Sequence, residues 1–462
     1  MRASRLFVLA ASAFAATQLY AAPLESAISR RVETHILTAR YGFAQVKPEN
    51  RAILRQSIQQ YVGIFGADVI RSLNHCLTTA IQSEDPALGK VCADYLLQTL
   101  RAHKMWNRLV SELEYLQDVE SKLPSLRTGL RHATADLAAY RKLSHLDTQL
   151  SGAPQWIRQI PFRTYRYRFH NQKIVATEDV QASNIVNVEI NSHAVSAQVD
   201  TESPYTIFSD TTARRIGIER VARTENTRAA FGGPGVSSWI SKISRSNFGG
   251  IKVRNMQVVE VKSWFDNAVG NLIGYDFLER VGGFEVKDGR FAFQRPSKYA
   301  YPVSIPYRYY RGQIVTQLSG VTGGKDYLVC IDTGADKSFA TATFGERFPD
   351  KVKADAKVVS LNTVAGTFNQ KVAGRTQLAL DMGGDALKLT NLPVWETGTF
   401  ETDLCDITLG TDVLLSRNHF GIDTVAKRVY LDVANTPIVP SAAGDIVTKD
   451  LTPSGRSRAT IH

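Results

Sequence analysis

Apolar residues recur at helical spacing through the first third of the chain. Leu88, Val91, Cys92, Tyr95, Leu96 and Leu100 fall on one helical face. Trp106, Leu109, Val110, Leu113 and Leu116 repeat the pattern in the next segment. The helical character runs from about Ser26 to His145. Pro48-Glu49-Asn50 and Asp85-Pro86 mark helix starts, since proline in the first turn sacrifices no hydrogen bond and Asp85 can cap it. About five or six helices are expected, without the fixed-period signature of a solenoid. After Ser151-Gly152-Ala153-Pro154 the period drops to two. Val186 to Ile190, Phe291 to Phe293 and Val429 to Leu431 read as strands, and Lys287-Asp288-Gly289-Arg290 as a hairpin turn. The stretch beyond about Ala434 is rich in Pro, Ser, Gly and Thr and predicts a disordered tail.

Composition adds bounds. The chain has 462 residues, 44% hydrophobic and 21% charged, which excludes wholesale disorder and suggests roughly three domains. The apolar run from Leu6 to Ala16 follows Arg2 and Arg5 and is too short to span a bilayer. It reads as a secretory signal peptide cleaved after Leu19-Tyr20-Ala21, with an uncleaved anchor as the alternative. Export is therefore expected, to the periplasm or the medium. The formal net charge of +11 fits an anionic surface or acidic substrate without specifying one. Arg158, Arg163, Arg166 and Arg168 interleave with Tyr165, Tyr167 and Phe169. A strand edge with one polar and one apolar face explains that cluster better than a nucleic-acid reader, and no nucleic acid is expected. Cys76 and Cys92 are equidistant from a turn near Glu84, so an antiparallel helical hairpin would bring them level. Either a disulfide or two core thiols fits that placement.

The β region contains a repeat. Ala197-Gln198-Val199 leads into Asp200-Thr201-Glu202-Ser203, and Val329-Cys330-Ile331 leads into Asp332-Thr333-Gly334-Ala335-Asp336. Gly-rich stretches follow, at Phe231-Gly232-Gly233-Pro234-Gly235 and Val364-Ala365-Gly366-Thr367. Then Leu272-Ile273-Gly274-Tyr275-Asp276 is matched by Thr408-Leu409-Gly410-Thr411-Asp412. Each copy closes on a strand, Gly283 to Val286 and Gly421 to Asp423. The Asp-to-Asp offset is 132 residues and the Gly-to-Gly offset 136, which makes duplication the economical explanation.

These motifs resemble the retropepsin-like aspartic peptidases across roughly residues 155 to 435. Taken with the helical periodicity of the first third, which it leaves unexplained, the resemblance implies an α+β multidomain protein: an N-terminal all-α helical domain, then two all-β retropepsin-like (acid protease) lobes forming a pseudodimer. The corresponding boundaries are 1–21 for the signal peptide, 22–150 for the helical domain, 155–297 and 298–435 for the lobes, and 436–462 for the tail. It implies a dyad of Asp200 and Asp332, cross-bracing by Thr201 and Thr333, and backbone approach at Gly334. Gly232, Gly233, Gly235 and Gly366 would belong to flap hairpins over substrate, and Asp336 would bind substrate main chain. The family's strand order also sets Cys330 beside Cys405, as a disulfide or as two buried thiols. Two carboxyls a few ångströms apart share one proton and titrate as a pair, one deprotonating water while the other protonates the scissile carbonyl. Aspartic proteases are the standard illustration of that behaviour.

Glu202 departs from the pattern, standing where the second copy has Gly334. Its side chain is expected to point outward, because an unpaired buried carboxylate is costly; pointing inward, it would raise the dyad's pKa values. Other chemistries lack support. There is no H-E-x-x-H helix, no G-x-S-x-G elbow, no histidine pair at metal-ligand spacing and no phosphate loop. No cofactor or metal is expected. The activity expected is aspartic-type endopeptidase, on a peptide or protein substrate. Two alternatives remain: a catalytically inactive peptide-binding relative, and an envelope interaction protein that finds its partner through the helical domain.

Overall fold

A computed structural model describes residues 24–31, 45–63, 67–102, 105–127, 137–143, 148–160, 162–170, 173–181, 184–224, 237–262, 270–297, 301–310, 312–321, 324–363, 366–383, 386–396, 404–417 and 419–432. Residues 1–23 and 433–462, where a signal peptide and a disordered tail are expected, lie outside the described residues, as do Gly232, Gly233 and Gly235.

A helical segment at 24–31 precedes α1 (Arg51–Gly63), α2 (Ala67–Gln82), α3 (Pro86–Ala102), α4 (Trp106–Lys122) and α5 (Leu137–Leu143). Asp85 caps α3 by accepting the Leu88 N–H at 3.0 Å through Oδ1. Its Oδ2 holds the Lys47 N–H and the Asn50 amide, each at 2.9 Å, and so ties the approach to α1 to the α2–α3 corner. Glu84 turns that corner at φ 47°, and Cys76 and Cys92 are joined as a disulfide with Cα atoms 5.9 Å apart. The apolar stripe of α3 (Leu88, Val91, Tyr95, Leu96, Leu100) is buried, as its periodicity requires.

The first β unit begins with β1 (Gln149–Ser151), β2 (Ile157–Arg158), and the hairpin β3 (Phe162–His170) and β4 (Lys173–Gln181), a two-stranded sheet. Next come β5 (Ile185–Ile190), β6 (His193–Val199), β7 (Ile207–Ser209), α6 (Asp210–Arg215), β8 (Glu219–Thr224), β9 (Ser238–Phe248), β10 (Ile251–Val261), β11 (Leu272–Ile273), α7 (Tyr275–Val281), β12 (Gly283–Lys287) and β13 (Arg290–Ala292). The second unit runs β14 (Val303–Pro306), β15 (Arg308–Tyr310), β16 (Gln313–Gly320), β17 (Asp326–Ile331), β18 (Phe339–Ala340), α8 (Ala342–Arg347), β19 (Lys353–Thr363), β20 (Gly366–Asp381), β21 (Ala386–Trp395), β22 (Ile407–Leu409), α9 (Thr411–Leu414), β23 (His419–Asp423) and β24 (Arg428–Leu431).

The two units share one topology. In the first, β5-β6-β11-β7-β10-β9 close on themselves through the β9–β5 pairing, and β8 is added outside β9. In the second, β16-β17-β22-β18-β21-β20 close through the β20–β16 pairing, with β19 outside β20. Parallel and antiparallel neighbours match as well: β11 runs parallel to β6 and antiparallel to β7, as β22 does to β17 and β18. A six-stranded sheet, β14-β24-β23-β12-β13-β2, joins the units. Its centre is the antiparallel β12–β23 pair, with Glu285 opposite Gly421. The β12–β13 turn has Asp288 and Gly289 at φ 49° and 69°, the two left-handed positions that a tight hairpin needs. One apolar core runs through both closed sheets and the shared sheet.

The helices pack on both units. Val315, Leu328 and Cys330 of the second unit and Ile240 of β9 belong to the helical core. Tyr95 of α3 shares a hydrogen bond with Tyr310 of β15. Arg31 reaches the fully buried Asp406 at 3.1 Å, and Asp406 also pairs with Arg347 of α8. Among the described residues no helix is long and apolar enough to cross a membrane.

Candidate active site

Two chain turns meet where β6 and β17 end. Asp200 follows β6 and Asp332 follows β17; their N–H groups donate to Ile273 and Leu409, each at 3.0 Å. Both turns are fixed by the same device. Thr206 gives its N–H and its hydroxyl to Asp276 Oδ1 at 2.8 and 2.9 Å. Ser338 gives the same two groups to Asp412 Oδ1 at 2.9 and 2.7 Å. The Gly274 and Gly410 N–H groups then donate to those two hydroxyls. The apolar-Gly-x-Asp element of each copy therefore clamps the turn that carries the aspartate.

The turns interlock through their threonines. The Thr201 N–H donates to Thr333 Oγ1 at 3.1 Å, and the Thr333 N–H to Thr201 Oγ1 at 3.0 Å. Each hydroxyl donates onward across the divide, Thr201 to Ile331 O at 2.8 Å and Thr333 to Val199 O at 2.7 Å. Gly334 touches both carboxyl groups. Its N–H donates to Asp332 Oδ1 at 2.7 Å. A Cβ placed on it would lie 2.5 Å from Asp200 Cγ, so no residue with a side chain allows this approach.

Burial dominates the electrostatics. It raises the Asp200 carboxyl to about 6, against the pull of the Ser203 and Glu202 N–H groups, both 2.9 Å from Oδ1. Burial also pushes Asp332 up, and the neighbouring Asp200 charge pushes it further. Both carboxyls are raised and lie against one another, so they titrate as one pair that holds a shared proton after the first ionisation. Glu202 corrects the expectation of an outward side chain. Its Oε1 is buried without a hydrogen-bond partner, and burial together with the charges of Asp332 and Asp200 holds its carboxyl well above the ordinary range. The cost of ionisation explains how it can be there: protonated, it avoids the penalty that an outward orientation was expected to escape.

Asp336 is exposed, four residues beyond Asp332. Gly366 opens β20 opposite Thr363, at the turn of the β19–β20 hairpin. Cys330 and Cys405 form a disulfide with Cα atoms 5.6 Å apart, on the strand that feeds Asp332. Two residues missed in the sequence brace the second turn. Asn184 donates to Val199 O at 2.7 Å and to Thr333 O, and Gln198 donates to Gly334 O at 2.9 Å. Gln198 had a signal, as a polar residue between Ala197 and Val199 on a buried strand; Asn184, before β5, had none. Among the described residues no group of three or more His, Cys, Asp or Glu is arranged to hold a metal ion.

Residues 186–280, within the first β unit, match the family model described as "gag-polyprotein putative aspartyl protease". No curated protein sequence matches the chain. Among solved structures, an aspartic proteinase from Irpex lacteus is similar over 61% of this chain and 98% of its own, at 14% identity and a TM-score of 0.37.

Proposed function

We propose that the chain is an exported aspartic endopeptidase, its two β units acting as retropepsin-like lobes of a pseudodimer that activates water between Asp200 and Asp332. The match over residues 186–280 supports peptidase function in general. The observation that carries the finer reading is Gly334, which donates to one carboxyl and is packed against the other within the threonine interlock. In this reading the ionised Asp200 takes a proton from water as it attacks the scissile carbonyl, while Asp332 gives its proton to the carbonyl oxygen. The tetrahedral intermediate then collapses, the C–N bond breaks and the amine leaves with a proton returned from the pair. The export reading rests on the leader-like segment before Pro23.

Asp200→Asn and Asp332→Asn, each tested against a diverse peptide library, are expected to lower cleavage by at least about a thousandfold. Retained cleavage in either variant would exclude the pair as the catalytic unit. The inward Glu202 favours one second reading, a peptide-binding relative without turnover. Wild-type protein that binds peptides and cuts none at any pH would establish that reading.

A further inference from the structure

Glu202 breaks the symmetry of the two turns at their most crowded point. It occupies the place in the first turn that Gly334 fills in the second, and Gly334 is the residue packed on the opposite aspartate. Glu202 thus puts a carboxyl group where the second turn has only backbone. Its main chain is committed: its N–H donates to Asp200 Oδ1, and its carbonyl oxygen lies against Gly312 of the β15–β16 turn. Its side chain is not, since Oε1 is buried with no hydrogen-bond partner among the described residues. An orphaned buried oxygen is unfavourable, and a ligand group that hydrogen-bonds to it would remove that penalty.

Among the described residues, the charges that face Glu202 are negative, Asp200 on its own turn and Asp332 on the other, and Asp336 adds a further negative charge at Asp332. The β15–β16 turn meets it with Gly312; Arg311 of that turn lies outside the described residues. A carboxyl in such surroundings carries its proton and has an O–H to donate.

We propose that Glu202 is a third functional carboxyl of this site, a substrate-binding acid that donates its O–H to a carbonyl oxygen of a peptide lying across the Asp200–Asp332 pair. The proposal rests on the reading of the site as a peptide cleft and extends it from the two aspartates to a specific main-chain acceptor. Ionisation of Glu202 removes the donor and adds a charge that repels carbonyl oxygens, so peptide affinity falls as pH rises. Glutamine keeps the size and an N–H donor without the titration; alanine keeps neither.

The test measures binding, so it does not depend on turnover. The probe is a peptide selected from a diverse library on the Asp200→Asn/Asp332→Asn protein, in which neither position titrates. Its Kd is measured by fluorescence anisotropy from about pH 5 up to the alkaline limit of the folded protein in that background, and again with Glu202→Gln or Glu202→Ala added. With Glu202 in place, affinity should weaken at least about tenfold over that range. Glu202→Gln should match it within about threefold at the acid end and stay level to the alkaline end. Glu202→Ala should bind about tenfold more weakly at the acid end. Alanine binding as tightly as glutamate, glutamine showing the same loss with pH, or a library without any binder would each overturn the proposal. Should the alanine variant fail to fold, the glutamine comparison decides alone. Wild-type protein that binds peptide with this pH dependence and never cuts it would end the peptidase reading and leave the role of Glu202 standing.

Discussion

Asp200 is held in a turn that gives it two N–H donors and at the same time removes it from water, and the second effect wins. Its folded pKa of about 6 lies above the unfolded value near 3.8. The contribution to stability is therefore complete below the unfolded value and is lost as pH rises through about 6. A shift of this size corresponds to roughly 3 kcal/mol at most. The melting temperature of the wild type should fall between about pH 4 and pH 7, and Asp200→Asn should flatten much of that fall. A profile identical in the two proteins would mean that Asp200 is not buried as described. The aspartates were legible because a short turn motif was written twice with the same downstream partner. The orientation of Glu202 was not legible. It depends on whether a proton is retained, and that is decided by burial and by Asp332, a neighbour far away in sequence, together with Asp200.

At the scale of elements, the units are joined by β12 against β23, and one glycine sits at the tightest part of that pairing. Gly283 has φ 126°, and a Cβ there would lie 1.8 Å from Ile422 O. Gly283→Ala combines backbone strain with a clash against main chain, so it should cost about 3 kcal/mol or more. Thermal or urea denaturation checks this; a loss below about 1 kcal/mol would show that the shared sheet yields locally. The strands at 186–190, 291–293 and 429–431 and the turn at Asp288-Gly289 could be read from alternation and turn chemistry. That β12 and β23 pair with each other could not, since period-two alternation shows which face is buried and never names the neighbour. The bracing of the second turn by Asn184 and Gln198 is hidden for the same reason.

Across the whole molecule, the helices are more than an appended bundle. Their core includes residues of both β units, and Arg31, Tyr95 and Glu25 reach Asp406, Tyr310 and Arg308. Tyr310 and Arg308 belong to β15, whose Tyr309 stacks on Tyr275 at 3.6 Å, and the turn after it carries Gly312 against Glu202. A continuous path of contacts thus links the helices to the first aspartate turn. Asp406 anchors the other end: fully buried, it pairs with Arg31 and Arg347 and accepts the Leu328 N–H at 2.9 Å. Asp406→Asn should lower stability by about 3 kcal/mol, because both guanidinium groups lose their counter-charge. Unchanged denaturation would show that the pairs contribute nothing net. The helical periodicity was plain in the sequence, while its docking surface was not, because Leu328 and Cys330 read equally well as the interior of the second unit.

The account turns on two carboxyl groups working as one unit across the interlocked turns, and the pH dependence of kcat/KM for a cleaved library peptide tests that directly. A bell-shaped profile is predicted, its two limbs reporting the macroscopic pKa values of the pair, shifted upward from the ordinary aspartate range by burial. A profile with a single limb, or turnover that survives in either Asp200→Asn or Asp332→Asn, would contradict it.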